Sequence, residues 1–496
     1  MRNVSSQLPE TADIQFVALG ADPFRRDPKG GWAPAYNVRI LEVLAAAALP
    51  GLPVVVADPD WFGVPVESGP DAAARWMGAG ANALTPDVMS RIAELRGGVY
   101  LGFETPDWLW PEIVSVCAIA IDVRLHPVRF GSDLLFLVRS GGVDWPEEVA
   151  AEIAEWLALE VALLRFRGQG PGAKSSFHRD AVLALQIAAD SALLSHGRFA
   201  RITDHIDDLR DWAEKFRRVY VAPHPLGPPD PEALSALVSL PNVWFSARNT
   251  YGLLTDPDVA AVSAISSSVL HEAQLLGLDV KAWRPDLSHG FPVRDEYRPA
   301  ELADVVEALR RQVTGWGLPL RSRNRLPGVR AFFGQVGTNT SQLSAPADPE
   351  ILGPGEVPVV GAALSSNLTY GWSVYEDWGR WMSEPVACLD LCWPEGHTAP
   401  LTITLQMHVL FSADGPTDDI EVWSRGERLT TMALTAQPEA PVSMTFSLSP
   451  PIADDRIQIQ IVKLLGVCPA RAHGTGDNRN LRLGLLSVAV SGDSPA

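Results

Sequence analysis

The first 330 residues alternate between short apolar runs and segments with helical periodicity, and this alternation constrains the fold more than any other feature. Apolar runs such as residues 14–21 and 97–104 are separated by amphipathic segments such as residues 36–48. Strands that are apolar along their whole length, with a helix between one and the next, are typical of parallel sheets covered by helices. The sequence therefore predicts an α/β fold for this part of the chain.

Two changes in the pattern divide the chain into three predicted domains. A glycine-rich segment at 167–176 interrupts the alternation, which then restarts, so we predict two α/β lobes, residues 1–170 and 171–330. Ligands of such sheets bind beyond the carboxyl ends of the strands, which indicates a ligand cleft between the lobes. Residues 350–496 alternate apolar and polar side chains with period two, as in 456–465, and this predicts an all-β sandwich.

Charge and composition exclude several classes of partner. The 40 basic and 59 acidic residues give a net charge of -19, which is incompatible with a general electrostatic surface for nucleic acid. An anionic ligand must therefore be held locally, by backbone amides and a few His or Arg side chains. The most apolar window, 41–57, is interrupted by charged, proline and glycine residues, so we expect no transmembrane segment. The N-terminal residues lack the apolar stretch of a signal peptide, and we expect a cytoplasmic protein.

The cysteines indicate neither a disulfide framework nor a metal site. The chain contains four of them, far too few for a framework. Cys388, Cys392 and His397 lack the C-x-x-C spacing of structural zinc sites, and the strand pattern around the two thiols is typical of core packing. We therefore expect no metal.

Two strand ends in the second predicted lobe carry side chains suited to a phosphate group. An apolar run ends at His224 and Pro225, and another leads through Ser266, Ser267 and Ser268 directly into a helical segment. Hydroxyl groups at a helix start, together with its free amides, hold a phosphate without net positive charge. Taken singly, each motif is equally typical of a turn proline or an ordinary helix cap.

The order of these motifs resembles the nucleotide-binding half of bacterial glycosyltransferases with the two-lobed GT-B architecture, above all the capsule-type Kdo transferases and, more loosely, the polysialyltransferases. The resemblance covers residues 180–290 well and the first lobe only faintly. It implies two Rossmann-like lobes and metal-independent transfer of an acidic sugar, Kdo or sialic-acid-like, from a CMP-activated donor to a bacterial surface glycan. The acceptor would be an oligosaccharide or glycolipid, and no cofactor would be needed beside the CMP-sugar substrate.

The same resemblance implies a set of donor-binding residues, in which His224 and the serines contact the CMP phosphate and Glu272 contacts the ribose. The complete set is His224, Pro225, Ser266, Ser267, Ser268, Glu272, Gln186, Asn249 and Tyr251. The chain departs from the family just before His224, where Ala222 and Pro223 replace the usual basic residue. This departure favours a second interpretation, in which the donor is a UDP- or GDP-linked hexose.

Charged residues at strand ends of the first lobe and near the start of the second are candidates for catalysis and carboxylate binding. Glu104 resembles the acidic motif that these families place opposite the donor, where a carboxylate would deprotonate the acceptor hydroxyl. Asp190 is the candidate nucleophile of a retaining mechanism. His126 and Arg129 would hold the carboxylate of an acceptor or donor. Each residue also has a structural interpretation. Glu104 would be a solvated loop acid, Asp190 a helix cap, and Arg129 the partner of a nearby aspartate in an ion pair.

Tryptophans open the C-terminal domain in the pattern G-W-S-x-x-E-x-W-G-x-W, which contains Trp372, Trp378 and Trp381. The pattern resembles a β-sandwich module appended to bacterial envelope-polysaccharide enzymes. Indole faces suit a sugar-stacking platform, and they equally suit the hydrophobic seal of a sandwich. A non-catalytic glycan-binding protein of polysaccharide assembly is therefore a third interpretation, and peripheral association with the envelope machinery or inner membrane is compatible with all three.

Overall fold

The computed structural model describes residues 14–20, 32–57, 61–62, 80–143, 145, 148–168, 180–187, 191–195, 198–224, 230–287, 296–314, 355–359, 364–410, 419–434, 438, 440–451, 455–469, 477 and 479–491. These residues form a mixed α/β structure in the N-terminal and middle parts of the chain and mostly antiparallel strands in the C-terminal part. At this level, the predicted succession of α/β and all-β structure is confirmed.

The N-terminal sheet has six strands in the order β13-β5-β4-β3-β1-β2. Its first five strands are β1 (Val17–Gly20), β2 (Val54–Val56), β3 (Val99–Phe103), β4 (Ile119–Leu125) and β5 (Phe136–Gly141). The helices of this part are α1 (Trp32–Ala48), α2 (Pro86–Glu94), α3 (Trp110–Val116) and α4 (Glu148–Gly168). Strands β1 to β4 pair in parallel, and every residue of β1 and β3 is buried, which explains their continuous apolar character.

The pair of β4 and β5 departs from the predicted parallel arrangement, because the two strands are antiparallel. Residues 126–135 between them contain no helix, and so short a connection turns the chain back instead of crossing over the sheet. Residues 114–116 form the last turn of α3.

The central sheet has five parallel strands in the order β10-β9-β6-β11-β12. They are β6 (Asp180–Ala184), β9 (Val219–Ala222), β10 (Val243–Phe245), β11 (Val259–Ala264) and β12 (Asp279–Ala282), and a hairpin of β7 (Leu194–Ser195) and β8 (Arg198–Phe199) follows β6. The helices are α5 (Ile206–Ala213), α6 (Pro231–Val238), α7 (Thr250–Leu254) and α8 (Val269–Leu275). The chain adds β9 and β10 on one side of β6 and then β11 and β12 on the other. The strand order therefore reverses at β6, which is where ligand crevices form in open parallel sheets.

The segment after the central sheet returns to the N-terminal sheet. Strand β13 (Arg298–Ala300) pairs antiparallel with β5, and helix α9 (Leu302–Thr314) packs against α1. Buried Val305 of α9 and Ile40 of α1 belong to one apolar cluster with the N-terminal strands. The prediction of a second lobe over 171–330 is therefore wrong at its C-terminal end, because the apolar face of α9 completes the core of the N-terminal sheet.

Two antiparallel sheets form the C-terminal part. One has six strands, with β16-β17-β24-β19-β22 in order and β14 also paired to β24, and the other has five in the order β15-β18-β23-β20-β21. The strands are β14 (Gly355–Pro358), β15 (Leu368–Tyr370), β16 (Trp372–Glu376), β17 (Gly379–Met382), β18 (Val386–Cys392), β19 (Leu401–Val409), β20 (Ile420–Ser424), β21 (Glu427–Met432), β22 (Val442–Leu448), β23 (Arg456–Val462) and β24 (Leu483–Ser491). Residues of both sheets, among them Leu405 and Ile459, share one apolar cluster, an arrangement consistent with a β-sandwich.

The five-stranded sheet of the sandwich covers the open edge of the central sheet. Gln458 on β23 accepts a hydrogen bond from Phe245 N at 2.8 Å and donates one from Nε2 to Phe245 O at 3.0 Å. Gln460 Nε2 donates to Val243 O at 2.9 Å. The two glutamines are 3% and 1% exposed, so buried side-chain amides replace the missing neighbour of edge strand β10. The polar half of β23 therefore faces another sheet and not the solvent.

Candidate functional site

Three of the predicted donor-binding residues lie at one edge of the central sheet. His224 stands two residues beyond β9, Gln186 two residues beyond β6 and Ser266 two residues beyond β11. These strands are parallel neighbours, so their carboxyl ends meet at the same edge, with about 4.8 Å between one strand and the next. The structure thus brings the motifs together where the strand order reverses.

Gln186 and Ser266 connect loops of the protein to one another. Ser266 N donates to Gln186 Oε1 at 3.0 Å, and Ser266 Oγ donates to Ala192 O at 2.7 Å. Gln186 is 9% exposed and Ser266 is 6% exposed. These hydrogen bonds support the loops after β6 and β11, and the donor contacts of both side chains stay predictions.

His224, Ser267 and Ser268 are half-buried and keep part of their surface at the crevice. Ser267 Oγ accepts from Val269 N at 3.4 Å, while Ser268 stands at the N-cap of α8 without a side-chain capping bond. Helix α8 has only seven residues, so hydroxyl and imidazole groups are better suited than its dipole to hold an anion. Pro225 lies outside the described residues, and its role stays a prediction.

Glu272 has a different environment from the one predicted. It is 2% exposed, and its Oε1 accepts hydrogen bonds from Arg129 N at 2.5 Å and from Tyr251 Oη at 3.0 Å. Burial raises the pKa of this carboxyl to about 7, although the hydrogen bonds act to lower it. The carboxylate is enclosed in this arrangement, and its ribose contact stays a prediction. Glu272 joins α8 to the loop between β4 and β5.

Asn249 and Tyr251 also serve the internal structure. Asn249 Oδ1 accepts from Tyr251 N at 2.8 Å and caps α7. The Tyr251 hydroxyl donates to Glu272, and its ring meets Phe130 edge-to-face with centroids 6.1 Å apart. The two residues position α7 and the Glu272 carboxylate, and their donor contacts stay predictions.

The loop between β4 and β5 contains the predicted carboxylate-binding pair. His126 is 4% exposed, and its Nδ1 accepts from Val128 N at 3.1 Å. Burial lowers the pKa of His126 to about 3, with further lowering by His271 and Arg129. The imidazole is buried and neutral in this arrangement, and its contact with a carboxylate stays a prediction. Arg129 is half-buried and contacts α8 through its backbone amide, and the role of its guanidinium stays a prediction.

Glu104 directly follows β3. Because β3 is parallel to β4, Glu104 lies at the same carboxyl edge of the sheet as the loop between β4 and β5, which contacts α8. It is half-buried and has a φ of 54°, a left-handed conformation that is uncommon for residues other than glycine. Backbone strain of this kind persists only where the surroundings enforce it, and it clusters at functional positions. The structure therefore keeps Glu104 as a candidate base. Asp190, the other catalytic candidate, lies outside the described residues.

A buried ion pair adjoins Glu104 and was not foreseen from the sequence. Asp122 Oδ2 accepts from Arg139 Nε at 2.9 Å, and Asp122 Oδ1 accepts from Thr105 N at 2.7 Å. Asp122 is 0% exposed and Arg139 is 3% exposed, and Arg139 also donates to Asp107. The pair thus holds both sides of the turn from Glu104 to Asp107. A charged residue at the centre of each apolar strand, β4 and β5, is the sequence signal that would have revealed it.

The three tryptophans of the C-terminal pattern do not form one platform. Trp372 packs against the sandwich core and donates from Nε1 to a main-chain carbonyl of β18 at 2.9 Å, and its sugar contact stays a prediction. The rings of Trp378 and Trp381 meet edge-to-face with centroids 4.8 Å apart. The ring centroid of His408 lies 5.5 Å from that of Trp378. A Cβ at Gly484 would come within 2.3 Å of the Trp378 ring, so glycine is required there. Trp378 and Trp381 stay candidates for sugar stacking.

Neither a metal cluster nor a membrane-spanning helix occurs within the described ranges. No three or more of their His, Cys, Asp and Glu side chains are grouped so as to hold a metal ion. None of their helices combines the length and apolar character needed to cross a bilayer.

No family model and no curated protein matches the chain. Among solved structures, it is similar to Thermosulfurimonas dismutans KpsC, a beta Kdo 2,7 transferase, with 14% identity and a TM-score of 0.29 over 54% of this chain and 77% of that one. It is similar to a family 29 carbohydrate-binding module, with 11% identity and a TM-score of 0.18 over 28% of this chain and 96% of that one. It is also similar to the CBM36-1 domain of a xylanase from the hindgut metagenome of Trinervitermes trinervoides, with 12% identity and a TM-score of 0.15 over 22% and 73% of the two chains. With TM-scores of 0.29 or lower, these likenesses do not assign the chain to a family.

Proposed function

We propose that this protein is a glycosyltransferase of the GT-B type, which transfers an acidic sugar, Kdo or sialic-acid-like, from a CMP-activated donor to a bacterial surface glycan. One observation supports the proposal above all: His224 and the hydroxyls of Ser267 and Ser268 follow parallel strands at one sheet edge, where the strand order reverses. In a chain with a net charge of -19, such a local group of hydrogen-bond donors is suited to a nucleotide phosphate.

The reaction needs a base on the side of the sugar that faces the acceptor. The bond between C2 of the acidic sugar and the phosphate oxygen breaks, CMP leaves, and the acceptor oxygen forms the new bond to C2. Glu104 would accept the proton that the acceptor hydroxyl loses. Asp122 and Arg139 hold the turn that follows Glu104. This turn would keep the Glu104 carboxylate at the edge of the N-terminal sheet that faces the central sheet.

Two observations support other candidates. Ala222 and Pro223 precede His224 where the resembling family has a basic residue, which favours a UDP- or GDP-linked hexose as donor. The adjoining indoles of Trp378 and Trp381 favour a glycan-binding protein without catalysis. Both candidates keep the carbohydrate ligand. The first changes the nucleotide of the donor, and the second uses no nucleotide.

Thermal unfolding of the full chain with CMP, UDP, GDP and NAD distinguishes these candidates. We expect CMP to raise the midpoint temperature of the wild type and to have no effect on His224→Ala, because the imidazole contacts the phosphate. His408→Ala, which removes an imidazole from the sandwich, should respond as the wild type does. Stabilisation by UDP or GDP alone would make the CMP donor wrong, and no response to any nucleotide would contradict the transferase proposal.

A further inference from the structure

A cavity of about 470 Å³ opens at one end of the sandwich, between the β18–β19 loop and the β22–β23 loop. Its walls include three prolines, the Trp393 indole, His397 and the carboxylates of Glu395 and Asp455. Small-molecule sites in proteins occupy about 300–1,000 Å³ and combine apolar walls with a few polar groups. The cavity has the size and the mixed lining of such a site.

His397 lies in the wall of this cavity and is 8% exposed. Its Nε2 has no hydrogen-bond partner among the described residues and is closed off from solvent. The histidine therefore shapes the wall of the cavity and offers a ligand no polar contact through Nε2.

The local sequence holds His397 in place before any ligand binds. His397 N donates to Pro394 O at 3.1 Å, which closes a β-turn, and Gly396 takes the φ of 75° that this turn requires. Trp393 Nε1 donates to His397 O at 2.7 Å, and Trp393 N donates to Asp455 O at 2.5 Å. The two loops are thus linked, and a preorganised site loses less conformational entropy on binding.

The lining defines the chemistry of the ligand. The half-buried rings of Pro394, Pro450 and Pro451 offer apolar surface to the C–H face of a sugar ring. The exposed carboxylates of Glu395 and Asp455 accept hydrogen bonds from hydroxyl groups. Two carboxylates in a chain of net charge -19 disfavour an anionic ligand. A neutral sugar fits these requirements, whereas an acidic sugar does not.

The docking of β23 places the cavity on the same side as the crevice. Gln460 contacts the start of β10 and Gln458 contacts its end, so the two strands run in opposite directions. The amino-terminal end of β23 therefore lies toward the carboxyl end of β10. Asp455 lies three residues further in this direction, about 10 Å along an extended chain. His224 follows β9, the strand next to β10, at that same carboxyl edge.

We propose that this cavity binds a neutral sugar unit of the acceptor glycan. The proposal rests on the proposed function where it takes the ligand as an acceptor, whereas the sugar contact itself does not depend on the donor. The sandwich would then hold the acceptor chain beside the crevice through a site separate from Trp378 and Trp381.

Saturation-transfer NMR on the full chain tests the sugar contact. The neutral probes are glucose, galactose, mannose and N-acetylglucosamine, and the anionic probes are Kdo and sialic acid. We expect at least one neutral probe to bind and neither anionic probe to do so. Asp455→Asn and Glu395→Gln change exposed side chains and should each weaken binding about fivefold. Glu427→Gln, an exposed acid on β21, is the matched control and should leave the affinity unchanged.

The proposal is overturned if no neutral probe binds, if Kdo or sialic acid binds better, or if Asp455→Asn and Glu395→Gln bind as the wild type does. His224→Ala separates it from the donor proposal, since this variant should lose stabilisation by CMP and retain the sugar contact. A third result is that the wild type binds a sugar, that Asp455→Asn loses this binding, and that CMP does not stabilise the wild type. This result would support the cavity proposal and overturn only the CMP donor.

Discussion

The backbone amide of Arg129 donates a hydrogen bond to the carboxylate of Glu272 over 2.5 Å, and this contact joins the N-terminal and central sheets. Arg129 belongs to the loop after β4, and Glu272 belongs to the helix after β11. Both positions follow the carboxyl ends of strands, so the contact brings the carboxyl edges of the two sheets toward each other. The proposed transfer requires these edges to face one another, because the proposed donor site and the candidate base Glu104 belong to different sheets.

The free energy of unfolding should contain a pH-dependent contribution from Glu272. Burial raises its pKa to about 7 in the folded protein, from 4.5 in the unfolded chain. A carboxyl with a raised pKa contributes stability that is complete below the unfolded value and is lost as the pH rises through the folded value. We expect this contribution to lower the free energy of unfolding of the wild type by about 3 kcal/mol between pH 4.5 and 8. Glu272→Gln should lack this loss.

Urea unfolding of the wild type and Glu272→Gln at pH 5, 6, 7 and 8 measures the difference. The comparison removes the contribution of His126, whose lowered pKa acts in the opposite direction and costs stability as the pH falls below its unfolded value. The same pH dependence in both proteins would show that the buried carboxyl does not titrate as described.

Removing Asp122 should destabilise the fold strongly. Asp122→Ala leaves the buried guanidinium of Arg139 without its main partner, and the loss of one member of such a pair costs about 3–5 kcal/mol. The exposed pair of Arg91 and Glu94 provides the control, since Glu94→Ala should cost less than about 1 kcal/mol. Chemical denaturation measures both variants, and a similar small loss in the two would contradict the supporting role of Asp122.

Glu104→Gln should lower sugar transfer without affecting nucleotide binding. Loss of a general base reduces the rate about 10²- to 10⁴-fold. The amide keeps the size of the side chain, so stabilisation by CMP should be unchanged. Release of CMP from a CMP-sugar in the presence of acceptor measures the rate, with Glu94→Gln as the matched control on an exposed helix. A rate within twofold of the wild type would exclude Glu104 as the base.

Gln458→Leu should weaken the attachment of the sandwich to the central sheet. The substitution leaves Phe245 N and O without partners inside the interface, at a cost of about 2–4 kcal/mol. Gln406→Leu, on the exposed face of β19, is the control and should change stability little. Urea unfolding followed by tryptophan fluorescence tests this, and equal stability of the two variants would contradict it.

Local pattern was sufficient for much of the fold. Every residue of β6 is buried, as expected for a strand covered on both faces, and β19 alternates buried with more exposed residues, as expected for a strand with one face in a core. His224 and the serines follow strands, as their neighbours in sequence indicated. Their grouping at one edge then follows from the parallel pairing of β9, β6 and β11.

The environment of the candidate site could not be predicted from the sequence, because a polar residue near a crevice either contacts a ligand or bonds within the protein, and the two have the same sequence pattern. Gln186 and Ser266 bond to other loop atoms, and Glu272 is enclosed by a loop from another sheet. His126 is buried beside His271. Residue type and spacing predict ligand contacts for all four, and these contacts stay predictions.

The sequence by itself determined the order of strands and helices, the change from α/β to antiparallel structure, and the strand ends that carry His224 and the serines, since each depends on neighbours along the chain. Only the tertiary structure decided that α9 completes the N-terminal core, that Gln458 bonds to Phe245 across a separation of 213 residues, and that Glu272 is enclosed. The physical reason is that packing between distant segments sets which polar atoms lose contact with water, and those atoms then bond within the protein instead of to a ligand.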